Sequence, residues 1–257
     1  MNLVLDGIEM MLKKKEALAA FGRPADERLT YSREGGFSTA RNLAEGCMGW
    51  TWCQWLMGVS NLETRKVVEP FVYRGMEIQD RMPNQHMRGL HDLFLLHCAI
   101  FASTEQQLRQ LAERAVDASG AKGESPRNDG DLYASAWSGM LKHWILDDKE
   151  EAVKQSKMIW GAYRPPYFRA TSKPIVTKWL EEDWDAFVKE QKKDFEKLWN
   201  RARKDGTVTS EKKGAITVNV ERFPIAQLWC WAHCGLALLA HRKHIQIATD
   251  PFWLPMS

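Results

Sequence analysis

The chain has 257 residues, 44% hydrophobic and 27% charged, a balance that supports a substantial buried core and excludes collagen-like and intrinsically disordered chains. Lys and Arg number 36 against 33 Asp and Glu, a net charge of +3, which lacks the basic excess of a nucleic-acid binder, so nucleic acid is not an expected partner. The longest apolar stretch, 228–240, contains His233 and is too short to cross roughly 30 Å of hydrocarbon, so no membrane partner is expected.

Lys13, Lys14 and Lys15 follow the first apolar stretch, whereas a signal peptide carries its charges ahead of it. The cysteines Cys47, Cys53, Cys98, Cys230 and Cys234 are odd in number and sit in apolar helical patterns. Reduced thiols and a cytoplasmic location follow as expectations. Twelve tryptophans, nearly all in helix-like segments, predict helices packed on helices, with each buried indole N–H in need of an acceptor.

In chain order, Leu5, Ile8, Leu12 and Ala19 predict a helix over 1–20, and residues 39–58, apolar nearly all round, predict one buried on several sides. Asn61 is a cap for a further helix, continued past Pro70 by Phe71, Gly75, Ile78 and Met82. The next helix is expected over 85–102. Ser103/Thr104 with Gln106/Gln107 then form a capping-box pattern that opens an amphipathic helix over 105–118. Residues 119–131 hold Gly and Pro and no large apolar residue, which makes them a mobile loop or an internal joint between two helical halves.

Tyr133, Trp137, Met140, Leu141 and Trp144 form one helical face, Asp147/Asp148 cap the next helix, and Ala152, Ser156, Ile159 and Tyr163 form the opposing face, together a helical hairpin. From Lys173 to Lys204 the steps of four and three through Val176, Leu180, Trp184, Phe187, Gln191, Phe195, Leu198 and Ala202 predict one helix about 45 Å long. Ile216, Val218 and Val220 alternate with polar residues, so a short strand or extended arm is expected near 207–220. Pro224 opens a last helix through His241. The expected class is therefore all-α: one helical domain over 1–257, an irregular array of antiparallel helical hairpins without a strict repeat.

Three constellations invite a chemical reading. Cys230, His233, Cys234, His241 and His244 offer zinc-type ligands, but on one helix Cys230 and His241 stand about 16 Å apart along the axis, beyond the reach of one ion. Cys230 and Cys234 then read as small buried hydrophobes, and His241 and His244 as charges at a helix C-terminus. His91-Asp92 is the dipeptide at the centre of HD-type metal phosphohydrolases, yet the one histidine upstream is His86, five residues away. The carboxylates over 147–151 sit at a helix start, and those over 181–185 lie four residues from Lys178 and Lys189 as a solvated face. No phosphate-binding glycine loop, nucleophile elbow or HExxH motif is present in the sequence. No catalytic, cofactor or metal residue is assigned, and the chain is not expected to be an enzyme.

One segment suits binding. Tyr163, Arg164, Tyr167, Phe168 and Arg169 surround Pro165-Pro166, which places residue types common at interface hot spots on a restricted backbone. These five are the expected partner-binding residues, with the alternative that the aromatics fold back onto the core. The loop over 119–131 is the second choice.

At the C-terminal end, Arg222-Phe223-Pro224, Leu228, Ala232, Leu238-Leu239-Ala240-His241-Arg242, Ile245, Ile247 and Thr249-Asp250-Pro251-Phe252-Trp253-Leu254-Pro255 together resemble the closing segment of helical immunity proteins from bacterial toxin–immunity systems. The all-helical immunity family numbered forty-nine is the most similar. The resemblance implies a cytoplasmic, non-catalytic protein without cofactor that binds a cognate protein toxin and neutralises it by occlusion. The alternative function is a helical adaptor or scaffold for a protein or peptide, and the enzymatic competitor is a helical metal-dependent hydrolase using His91 and Asp92. Homo-oligomerisation is left open by the sequence.

Overall fold

A computed structural model describes scattered positions between 65 and 79 and residues 85–119, 129–161, 173–204, 208–212, 215–218, 231–245 and 247. The elements are α1 (Gln85–Ala102), α2 (Glu105–Arg114), α3 (Asp129–Ile145), α4 (Lys149–Gly161), α5 (Lys173–Leu180), α6 (Trp184–Lys204), β1 (Val208–Lys212), β2 (Ala215–Val218) and α7 (Trp231–Arg242). The fold is all-α, with neighbouring helices packed as antiparallel pairs. The helices expected over 1–20 and 39–58 lie outside the described residues.

The described positions between 65 and 79 are helical, and Val68, Val72, Gly75, Met76 and Gln79 make its buried stripe. Helix α1 spans the expected residues. Helix α2 opens on the expected capping box: Thr104 Oγ1 accepts from Gln107 N at 3.3 Å, and Gln107 Oε1 accepts from Thr104 N at 2.8 Å. Helix α2 stops at Arg114, four residues short of expectation. Ala115 turns extended (φ −62°, ψ 142°), and residues 115–119 run as a non-helical strap.

Helices α3 and α4 make the predicted hairpin, and α3 packs on α1 as well. Tyr133, Trp137 and Trp144 are fully buried along α3, the first two rings stacked with centroids 6.3 Å apart. A caged turn joins the pair. Asp147 takes a left-handed φ of 66°, Asp148 N donates to His143 O at 2.8 Å, and Asp148 Oδ1 accepts from Glu151 N at 3.2 Å. The predicted N-cap therefore forms through Asp148.

The single long helix expected over 173–204 is two helices. The break at 181–183 repeats the α3–α4 turn: Glu182 has φ 58°, Asp183 N donates to Lys178 O at 3.0 Å, and Asp183 Oδ1 accepts from Ala186 N at 3.3 Å. The carboxylates read as a solvated helical face are mostly turn and cap residues, paired with Lys178 at 2.8 Å from Glu181 and 3.3 Å from Asp183. The expected short strand or arm is an antiparallel hairpin, with Val208 opposite Val218 and Lys212 opposite Ala215.

These elements fall into two compact units, α1–α4 within Lys14–Arg164 and α5–α7 with the hairpin within Pro165–Met256. The segment 119–131 lies inside the first unit, and the helices on either side of it, α2 and α3, pack together. In the second unit Ile175, Val176, Trp179, Phe187, Leu236, Ala237, Leu239 and Ala240 are buried, and Trp179 Nε1 donates to Leu236 O at 3.0 Å. No described helix is long and apolar enough to cross a membrane.

Candidate functional site

The polar groups of the first unit gather where α1, the strap and the α3–α4 hairpin meet. Arg88 and Asp92 share a face of α1 through their i, i+4 spacing. Asp92 is buried; its Oδ2 accepts from Val116 N at 2.9 Å and lies 3.7 Å from Arg88 Nε. Arg88 Nη2 donates to Arg114 O at 2.5 Å. The carboxylate thus holds the first free N–H of the strap, and its arginine partner holds a carbonyl that the end of α2 leaves open.

The rest of the strap is fastened to the hairpin. Lys142 Nζ donates to Ala115 O at 2.8 Å and stands 3.4 Å from Asp117 Oδ2. Gln155 Oε1 accepts from Ala118 N at 3.1 Å, while its Nε2 donates to Ser119 Oγ at 2.6 Å and to Glu151 Oε1 at 2.9 Å. Asp117 Oδ1 accepts from Ser119 N at 2.9 Å. Such close seating requires a glycine: a Cβ on Gly139 would stand 2.6 Å from Asp117 Cβ and 2.8 Å from Gln155 Oε1. His143 sits between two carboxylates, Nε2 at 3.4 Å from Asp117 Oδ2 and Nδ1 at 3.3 Å from Asp148 Oδ2. Lys154, followed by Gln155, holds the Glu151 carboxyl down at about 2.

His91 and Asp92 do come together, with Nδ1 at 3.3 Å from Asp92 Oδ1. Both side chains are completely buried, so a substrate reaches His91 Nε2 only if helices part. No group of three His, Cys, Asp or Glu among the described residues could hold a metal ion. The arrangement is suited to fixing the strap.

The zinc-type set is partly described. His241 and His244 are exposed at the end of α7, where His244 takes a left-handed φ of 61° and Ile245 N donates to Ala240 O at 3.1 Å. They occupy a helix C-terminus, where a positive charge is favourable. Cys230 and the side chains of His233 and Cys234 lie outside the described residues. Cys98 is buried as a free thiol. The five partner-binding candidates, Tyr163, Arg164, Tyr167, Phe168 and Arg169, lie outside the described residues, as do 120–128 of the second-choice loop.

Sequence reasoning missed the strap and its anchors Asp92, Lys142 and Gln155. The available signal was Arg88/Asp92 at helical spacing on a face otherwise made by Leu95 and Ala99. No protein-family model, no curated protein and no solved structure matches this chain.

Proposed function

We propose that this chain is a helical immunity protein that binds a cognate bacterial toxin in the cytoplasm and neutralises it by covering its working surface, without catalysis. The observation that carries this reading is the C-terminal block from Arg222 to Pro255, in particular Leu238-Leu239-Ala240-His241-Arg242 followed by Ile245 and Ile247. The described part of that block has the alternation a docked terminal helix needs: Leu239, Ala240 and Ile247 are buried, and His241 is exposed. The engagement of Asp92 with Val116 and Arg88 also favours a binding role for the chain over the hydrolase reading of His91 and Asp92.

Occlusion of a toxin needs roughly 800 Å² or more on each partner. In this reading the segment from Tyr163 to Arg169 supplies the anchors, because its prolines limit the entropy lost on binding. The test is co-expression with the toxin encoded beside the gene, scored as rescue of growth. Rescue is expected, and failure against every adjacent toxin overturns the reading in favour of a helical adaptor. With a rescued toxin in hand, Arg164→Ala or Tyr167→Ala should weaken binding by about 2 kcal/mol or more at an unchanged Tm. A fall in Tm for Tyr167→Ala without a specific loss of affinity would place the aromatics in the core instead.

A further inference from the structure

The turn between α3 and α4 and the turn between α5 and α6 stand 35 positions apart, Asp148 answering to Asp183. Their hydrogen bonds correspond one by one. Leu146 N donates to Lys142 O at 3.0 Å where Glu181 N donates to Thr177 O at 2.9 Å, and Ala152 N donates to Asp148 O at 3.1 Å where Phe187 N donates to Asp183 O at 2.8 Å. The likeness continues into the first helix of each pair. Met140, Leu141 and Trp144 answer to Ile175, Val176 and Trp179, and all six are buried. One helical hairpin therefore occurs twice in the chain, once in each compact unit.

On the second helix of each copy, the inner and outer faces have fared differently. The buried positions have changed: Ala152 answers to Phe187, Ser156 to Gln191 and Ile159 to Asp194. The outer stripe has not. Glu150, Val153, Lys154 and Lys157 of α4 answer to Asp185, Val188, Lys189 and Lys192 of α6, an acid, a valine and two lysines at i, i+3, i+4 and i+7 on one helical face. The acids and lysines are exposed in both copies; Val153 is exposed and Val188 half-buried. Glu150 and Asp185 lie in the first turn, where the helix dipole favours a carboxylate. Lys154 pairs with Glu151 at 2.8 Å, but Ala186 takes the place of Glu151 beside Lys189. Lys157 and Lys192 make no ion pair among the described residues. Exposed positions away from caps are ordinarily the freest to change, so a valine and two lysines kept while the core beneath them changed have a role outside the hairpin.

From this repetition we propose that α4 and α6 carry two equivalent docking faces, each of which takes an acidic amphipathic helix of a protein partner. The valine meets an apolar side chain, and the two lysines, about one helical turn apart, meet carboxylates at the same spacing on the partner. The inference goes beyond the toxin reading, since it fixes the chemistry of a contact whatever the partner is.

The test titrates the isotope-labelled full chain with a synthetic amphipathic peptide, a leucine stripe flanked by glutamates, and follows the backbone amides by NMR. The amides of 150–157 and of 185–192 should shift and saturate with two peptides per chain. Lys157→Glu combined with Lys192→Glu should weaken binding at both faces by about tenfold or more, and Lys157→Glu alone should remove only the α4 face. Lys66→Glu combined with Lys204→Glu makes the same change in charge at exposed lysines outside the stripe, one in each unit, and should leave affinity within about twofold, because screening shortens the reach of distant charges. Tm checks that each variant is folded, and Lys157→Gln with Lys192→Gln serves if the reversal is not. Shifts at neither face or at one alone overturn the proposal. Equal weakening by the Lys66 and Lys204 pair also overturns it, since the stripe would then be a solvated surface that attracts acid no more than the rest of the chain. Peptide binding at both faces without rescue from any adjacent toxin keeps this inference and removes the toxin reading.

Discussion

His97 lies inside α1 with its Nδ1–H donating to Leu93 O at 2.8 Å, and burial outweighs that bond to bring its pKa from 6.5 down to about 4. The native imidazole is therefore neutral across the range in which an unfolded chain takes up a proton. Above pH 6.5 neither state binds that proton and the stability is fully present. As pH falls from 6.5 towards 4 the unfolded state gains it first, so stability drops, by about 3 kcal/mol at most. Glu151, held down at about 2, acts in the same direction in the next window, from 4.5 to 2. Its carboxylate is partly exposed, and solvent screening reduces the effect. Urea midpoints should fall between pH 6.5 and pH 4, and His97→Gln should flatten much of that fall. An identical pH slope in the variant would remove His97 as the cause.

Among the elements, α1, α2 and the α3–α4 hairpin were legible because their stripes and caps agree: Thr104/Gln107 forms the box its spacing calls for, and Asp148 caps where acidic residues gather. The break at 181–183 was not legible. Leu180 to Trp184 is a step of four and Trp184 to Phe187 a step of three, so the apolar rhythm runs straight across the turn. Glu182 adopts its left-handed conformation with neither glycine nor proline to mark it. The strap was hidden for a different reason, since side chains from helices far along the sequence displace the helical hydrogen bonds of 115–119, and no local pattern reports them. Of the candidate residues, His91 and Asp92 were legible as a pair but not as a strap anchor. Gly139→Ala tests the seating. The added methyl meets Asp117 and Gln155, so a loss of about 1–3 kcal/mol is expected. Hydrogen exchange should also show the amides of Val116 and Ala118 losing protection more than those of α1. Uniform loss across the unit would mean that the strap is not what Gly139 accommodates.

For the whole molecule, stability should be independent of metal. Purified protein should contain no stoichiometric zinc, and a chelator should leave Tm unchanged, because His241 and His244 stand exposed at a helix end and no group of three His, Cys, Asp or Glu among the described residues could hold a metal ion. One equivalent of zinc by elemental analysis would overturn this. The bond from Trp179 to Leu236 spans 57 residues, whereas the bonds that fasten the strap in the first unit join residues within 24 to 37 positions of each other. On the ribosome the two units thus mature at different times. The first can close its strap network once α4 has emerged. The buried indole of the second must wait for a stretch of chain that takes several seconds to make at about 5–20 residues per second. Until then the indole N–H of Trp179 cannot meet the Leu236 carbonyl that it bonds in the folded unit, so the second unit is the later of the two to complete its core.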